Sequence, residues 1–202
     1  MKHVEHTISI TEMEAQSELL PRAFYERATV EVARGLLGKV LVHGRTAGVI
    51  VETEAYLGGD DLASHTARGV TPRTKVIFGP AGHAYVYFIY GMYECLNLVA
   101  EPAGKAGCVL IRALDPICGI ETMFRRRPKA RKLADLASGP GKLTLAMAIT
   151  RAHNGRDVTR GSLTVRKWKR EPPIDIEVTP RIGITKCADW PLRFVRRNPA
   201  VK

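Results

Sequence analysis

The segment VETEAYLG, Val51 to Gly58, carries two carboxylates and a tyrosine at every second position. Successive side chains in a strand point to opposite faces, so Glu52, Glu54 and Tyr56 share one face. Val51, Thr53, Ala55 and Leu57 share the other, which reads as core. Two carboxylates beside an aromatic ring are the raw material of acid/base chemistry. By pattern alone, a solvated strand face with a tyrosine at its rim is the favoured reading, and the chemistry needs a cleft. A second candidate is HAYVYFIYGMYE, where alternation sets Tyr85, Tyr87 and Ile89 against Val86, Phe88 and Tyr90. Tyr90 and Tyr93 bracket Gly91 and Met92. Aromatics at such a tip suit insertion between bases or stacking on them. Packing of the sheet is the competing reading, and the favoured one for Tyr85.

Three further motifs carry less. SGPGKLT looks like a phosphate loop, but Leu136 and Leu143 stand where that loop needs Gly and Ser or Thr, which excludes a nucleoside triphosphatase. What remains is a Gly-Pro-Gly turn opening a helix, with Lys142 in its first turn as a candidate phosphate contact. His65, near Asp60 and Asp61, matches no metal-ligand spacing, and no metal is expected. The run RRRPKARK, Arg125 to Lys132, is either a solvated face or an added attraction for phosphate.

The elements that must position these residues follow from period and punctuation. Residues 1–18 show no period and are expected to be a disordered tail, with a single domain over 19–202. Helical spacing runs from Ala23 to Leu37, ending at Gly38. KVLVH and GVIVETEAYL read as strands, and residues 58–83 as a long irregular excursion with a short helix at DDLASH. HAYVYFIY and YECLNLVA form a hairpin around Gly91, and GCVLIRALDP a central strand. PICGIETMFRRRP and SGPGKLTLAMAI are expected as helices; SLTVRKW, PRIGIT and PLRFVRR as strands. The strands arrive in hairpins rather than βαβ units. The expected fold is therefore α/β in the α+β sense: a curved, mixed or mostly antiparallel sheet with flanking helices and a protruding hairpin.

Composition narrows the partners. The chain has 202 residues, 45% hydrophobic, with 31 Lys plus Arg against 20 Asp plus Glu, hence a net charge of +11. A strongly basic domain attracts polyanions, nucleic acid foremost. Cys95, Cys108, Cys118 and Cys187 have no zinc spacing and read as reduced structural thiols. No secretory signal or membrane span is apparent, so a cytoplasmic, nucleoid-associated monomer is expected.

VETEAYLG with a following His, then YVYFIYGMYECLN, VLIRALDP, SGPGKL and PRIGI, together and in order, resemble the alkyladenine (3-methyladenine) DNA glycosylase family, over roughly residues 23–197. The short tail is like that of bacterial members. The resemblance implies an enzyme without cofactor that flips a damaged purine out of duplex DNA and hydrolyses its glycosidic bond without cutting the strand. It implies Glu54 as general base, Arg112 holding the water and Glu54, and the Ile182 backbone carbonyl as a further water contact. Tyr56, His65, Tyr87, Asn97 and Leu110 would wall the base pocket, with Asn97 crowding the amine of normal guanine. Tyr90, with Met92, would enter the duplex, and Arg73 joins Lys142 as a candidate phosphate contact. The loop after His65 is slightly shorter, and the segment after Asn97 slightly longer, than in vertebrate members. A non-catalytic damaged-DNA binder and a small purine nucleoside hydrolase are the alternatives; turnover separates the first, and a salt-sensitive need for duplex DNA the second.

Overall fold

Nine strands form in the computed structural model, which describes residues 8–197. In chain order they are β1 (Ser17–Leu19), β2 (Val40–His43), β3 (Thr46–Leu57), β4 (Ala84–Ile89), β5 (Tyr93–Val99), β6 (Gly107–Cys118), β7 (Leu163–Trp168), β8 (Asp175–Thr179) and β9 (Arg193–Arg197). The helices are α1 (Ile10–Ala15), α2 (Arg22–Tyr25), α3 (Thr29–Leu36), α4 (Ile120–Arg126) and α5 (Pro140–Met147). Every strand pairing is antiparallel, in one sheet ordered β1-β7-β2-β3-β6-β5-β4. The single α+β domain with a curved, open sheet is the expected fold.

β3 is the hub. It pairs along its length with β6, and on its other edge with β2 first and then β9. The register with β6 shifts around Val51 and again between Glu52 and Thr53, leaving Arg112 without a partner opposite it. Such bulges re-aim side chains and concentrate near functional sites. The face of β3 read as core is core: Ala55 is fully buried, and the Thr53 hydroxyl donates to the Ala33 carbonyl of α3 (2.9 Å). Val32 and Leu36 of α3 join Ile50, Val109 and Ile111 in the main cluster. Each such aliphatic side chain contributes about 1.5–3 kcal/mol by leaving water.

Tertiary contacts redraw several local readings. Residues 8–18 are built into the fold rather than loose: Ser9 and Glu12 form a capping box on α1, Met13 is fully buried, and β1 pairs with β7. Residues 1–7 lie outside the described chain. The expected helix over 23–37 splits, because Glu101, remote in sequence, accepts from both the backbone N–H (2.6 Å) and the hydroxyl (2.9 Å) of Thr29, starting α3 afresh. DDLASH is turn rather than helix: the Asp61 carboxylate takes the Leu57 and Ala63 amides, and a 3-10 turn begins only at His65. Pro116 does not start a helix. β6 runs on to Cys118, and Gly119, at φ +68°, turns the chain into α4. PRIGIT is irregular, and the strand precedes it as β8. The basic run is partly internal, since Arg126 caps the Ala146 carbonyl and Arg127 the Asp135 and Leu136 carbonyls.

Candidate active site

One face of four neighbouring strands lines a cleft of about 410 Å³. Tyr56 comes from β3, Leu110 and Arg112 from β6, Asn97 from β5, and Tyr85 and Tyr87 from β4. His65 stands on the loop side, the Ile182–Ile184 turn closes another wall, and Pro140 and Gly141 bring the start of α5 to the mouth. A Cβ on Gly141 would lie 2.7 Å from the Tyr93 ring, so that position needs glycine for α5 to seat against the hairpin.

Glu54 lies directly beneath this surface with a fully buried side chain. The solvated-face reading is therefore wrong for Glu54. Its Oε2 accepts from the Tyr56 hydroxyl (2.9 Å) and pairs with Arg112 Nη1 (3.2 Å); its Oε1 accepts from the Ile182 backbone N–H (2.8 Å). A carboxylate offers about four acceptor positions, so three donors leave room for one more. Arg112 also donates through Nε to Glu52 Oε1 (2.8 Å), which takes Arg193 Nε as well (2.6 Å). Burial alone would lower the Arg112 pKa, but the Glu54 and Glu52 carboxylates outweigh it and hold it raised. Burial, reinforced by Glu54, pushes the Tyr56 hydroxyl up, so Tyr56 stays a proton donor in this network.

The paired carboxylates thus divide. Glu52 anchors two arginines, and Glu54 touches the cleft lining at Tyr56, Arg112 and Ile182. The structure brings Ile182 to Glu54 through its N–H, a contact the motif reading did not name. The residue that places it is Arg181, also missed. Arg181 and Asp61 form a fully buried pair (2.6 and 2.8 Å), and Arg181 further donates to the Ala55 carbonyl (3.0 Å). Its guanidinium lies 4.7 Å from the Tyr56 ring centroid. The signal was present: a carboxylate in an apolar fold demands a cationic partner, and PRIGI holds an arginine next to Ile182.

On the opposite strands, His65 meets Tyr87 edge-on (centroids 4.7 Å apart), and its Nδ1 lies 2.9 Å from the Tyr85 hydroxyl. Tyr85 is buried, as sheet packing predicts, yet its hydroxyl reaches the cleft wall. Asn97 is buried and donates to the Tyr85 carbonyl (3.2 Å), which fixes its amide against Leu110, its cross-strand partner. Tyr90 and Met92 project from the hairpin tip, 75% and 62% exposed. Tyr90 and Gly91 both have positive φ, +53° and +66°, the geometry of a tight primed hairpin turn. Lys142 is exposed and donates to Ser138 Oγ (3.1 Å); Arg73 is exposed but donates through Nε to the Tyr85 hydroxyl (3.1 Å). Among the described residues no cluster of three or more His, Cys, Asp or Glu is placed to hold a metal ion, and no helix is long and apolar enough to cross a membrane.

The sequence has relatives of high identity. A protein of Methanocella arvoryzae is 55% identical over 89% of this chain and 93% of its own length. One of Koribacter versatilis is 50% identical over 90% and 91%, and one of Legionella pneumophila 45% over 90% and 97%. All three are named, provisionally, 3-methyladenine DNA glycosylases. The methylpurine-DNA glycosylase (MPG) family matches residues 23–200, most of the chain, and with these identities it shows that the protein belongs to the methylpurine-DNA glycosylase family.

Proposed function

We propose that the protein is a monofunctional DNA glycosylase that flips alkylated or deaminated purines out of duplex DNA and hydrolyses their glycosidic bond. The observation that carries this reading is the Glu54 site: a buried carboxylate with three donors, set under an aromatic cleft beside an exposed aromatic tip. Chemistry on a stacked base requires extruding it, at a cost of a few kcal/mol, least for damaged or mispaired bases. Stacking on tyrosine returns ~1–3 kcal/mol per base, and Tyr56 and Tyr87 line the cleft to supply it.

Glycosidic cleavage passes through an oxocarbenium-like state, which a nearby carboxylate stabilises. Glu54, with one acceptor position left, takes the proton of a water that adds to the sugar's anomeric carbon. The bond from that carbon to the purine nitrogen breaks, and its electron pair leaves with the base. A cationic alkylated base departs as the neutral purine. A neutral base such as hypoxanthine takes up a proton from solvent as it leaves, and Glu54 gives the water's proton back to solvent. Arg112 holds Glu54 in place and stays cationic. The matched motifs hold no lysine at a nucleophile position, so the reaction goes through water rather than a Schiff base.

The test is a single-turnover assay on duplexes with one hypoxanthine or one 7-methylguanine, read by alkaline cleavage. An alkali-labile abasic site without prior strand cleavage is expected. A covalent adduct trapped by borohydride would replace hydrolysis with lyase chemistry, and binding without any abasic site would leave a damage-binding protein.

A further inference from the structure

A second hydrogen-bond chain runs along the cleft wall, separate from the Glu54 network. Arg73 Nε donates to the Tyr85 hydroxyl (3.1 Å), which lies 2.9 Å from His65 Nδ1. A guanidinium has donors only, so the Tyr85 oxygen must accept from Arg73. The single Tyr85 proton is then left for His65 Nδ1. An imidazole nitrogen that accepts carries no proton, so in the neutral ring the hydrogen sits on Nε2. The same arginine lies 5.1 Å from the Tyr87 ring centroid, and the Tyr87 ring packs edge-to-face with His65. One exposed side chain therefore restrains three residues of the wall.

We propose that Arg73 is a positioning residue: acting through Tyr85, it fixes His65 as the neutral Nε2–H tautomer, so that the cleft wall presents one hydrogen-bond donor and no charge. The groups facing His65 are Arg73, Tyr85 and Tyr87, and Arg73 alone among them is charged. Burial first, and the Arg73 charge second, hold the His65 pKa down to about 4. An imidazolium in the wall would repel a cationic alkylated base, whereas Arg73 itself lies in solvent that screens it. The inference about substrate rests on the base-pocket reading, but the tautomer is a property of the free protein.

The experiment records the nitrogen-15 signals of the His65 ring in the full chain, without DNA, for wild type, Arg73→Gln and Tyr85→Phe. Wild type is expected to show the Nε2–H tautomer, protonating only near pH 4. Arg73→Gln removes an exposed side chain, so the fold should persist. It should mix the tautomers and move the midpoint up toward the ordinary 6.5. Tyr85→Phe should also mix the tautomers. Arg73→Lys keeps a cationic, donor-only group beside Tyr85, and should keep both the low midpoint and the Nε2–H tautomer. A wild-type Nδ1–H ring, or an Arg73→Gln spectrum like wild type, overturns the proposal. So does an unchanged ring with a DNA-binding salt slope reduced by about one, which would make Arg73 a phosphate contact. Excision assays on the same variants stand apart: a correct tautomer with no excision refutes the glycosylase reading and not this one.

Discussion

At the cleft floor Glu54 is fully buried, sits on paired β3 and accepts from three donors, whereas at the hairpin tip Tyr90 is 75% exposed on a turn with positive φ. The floor is complete before any ligand arrives. A group that must stabilise developing charge works best when its surroundings need not rearrange. The tip is unsatisfied in the free protein: Phe88, Tyr90, Met92 and Tyr93 expose apolar surface that water disfavours. An exposed apolar tip makes sense if it is buried by a partner, and stacked bases suit it. The contrast says that substitutions at the floor should act on rate, and at the tip on binding.

The largest effect tests the floor. Glu54→Gln should lower the single-turnover excision rate by roughly 10²–10⁴-fold, the usual scale for a lost general base. Its amide oxygen can still accept from the Ile182 N–H, and Arg112 keeps Glu52, so lesion-duplex affinity should hold within a few-fold. Binding that falls as far as the rate would make Glu54 a structural residue and erase the contrast.

Next comes the buried pair that supports the floor. Asp61→Ala strands the Arg181 charge and frees the Leu57 and Ala63 amides. Breaking one side of a buried pair costs about 3–5 kcal/mol, or roughly 10 °C in Tm for a domain of this size. Asp61→Ala combined with Arg181→Met should recover part of that stability while leaving excision impaired, because Ile182 loses its anchor beside Glu54. Full recovery of excision would show that the pair serves stability alone.

The sequence makes one half of this site far more legible than the other. Alternation puts Glu52, Glu54 and Tyr56 on one face, and Tyr85 and Tyr87 together, because the two-residue period of a strand is a local property of the chain. It could not show that Glu54 is buried and Glu52 partly open, since that depends on what β9 and the 180–185 turn lay across them. The helix expected over 23–37 failed for the same reason: Glu101, distant in the chain, decides where α3 starts. Arg181 and Asp61 find each other across a sequence separation that no local pattern spans. Motif order supplied what periodicity lacked: resemblance singled out Arg112 and Ile182, and the structure brings both to Glu54.

At the tip, Tyr90→Ala should weaken lesion-duplex binding by about 1–3 kcal/mol, the worth of one stacked aromatic, measured by fluorescence anisotropy. Stability should change by less than about 0.5 kcal/mol, because the side chain contacts so little of the fold. Equal losses in stability and binding free energy would mean that the hairpin is held by Tyr90 rather than offering it.

The smallest effect separates two uses of the α5 start. Lys142 donates to Ser138 Oγ (3.1 Å) and is exposed, so its removal should change stability by less than about 0.5 kcal/mol. If it meets a phosphate when DNA crosses the mouth beside Pro140 and Gly141, Lys142→Ala should lower the slope of log affinity against log salt by about one. The loss should be alike for damaged and undamaged duplexes, because phosphate contacts position without reading bases. An unchanged slope would confine Lys142 to steadying the Gly-Pro-Gly turn, leaving the hairpin as the tested part of the DNA-facing edge.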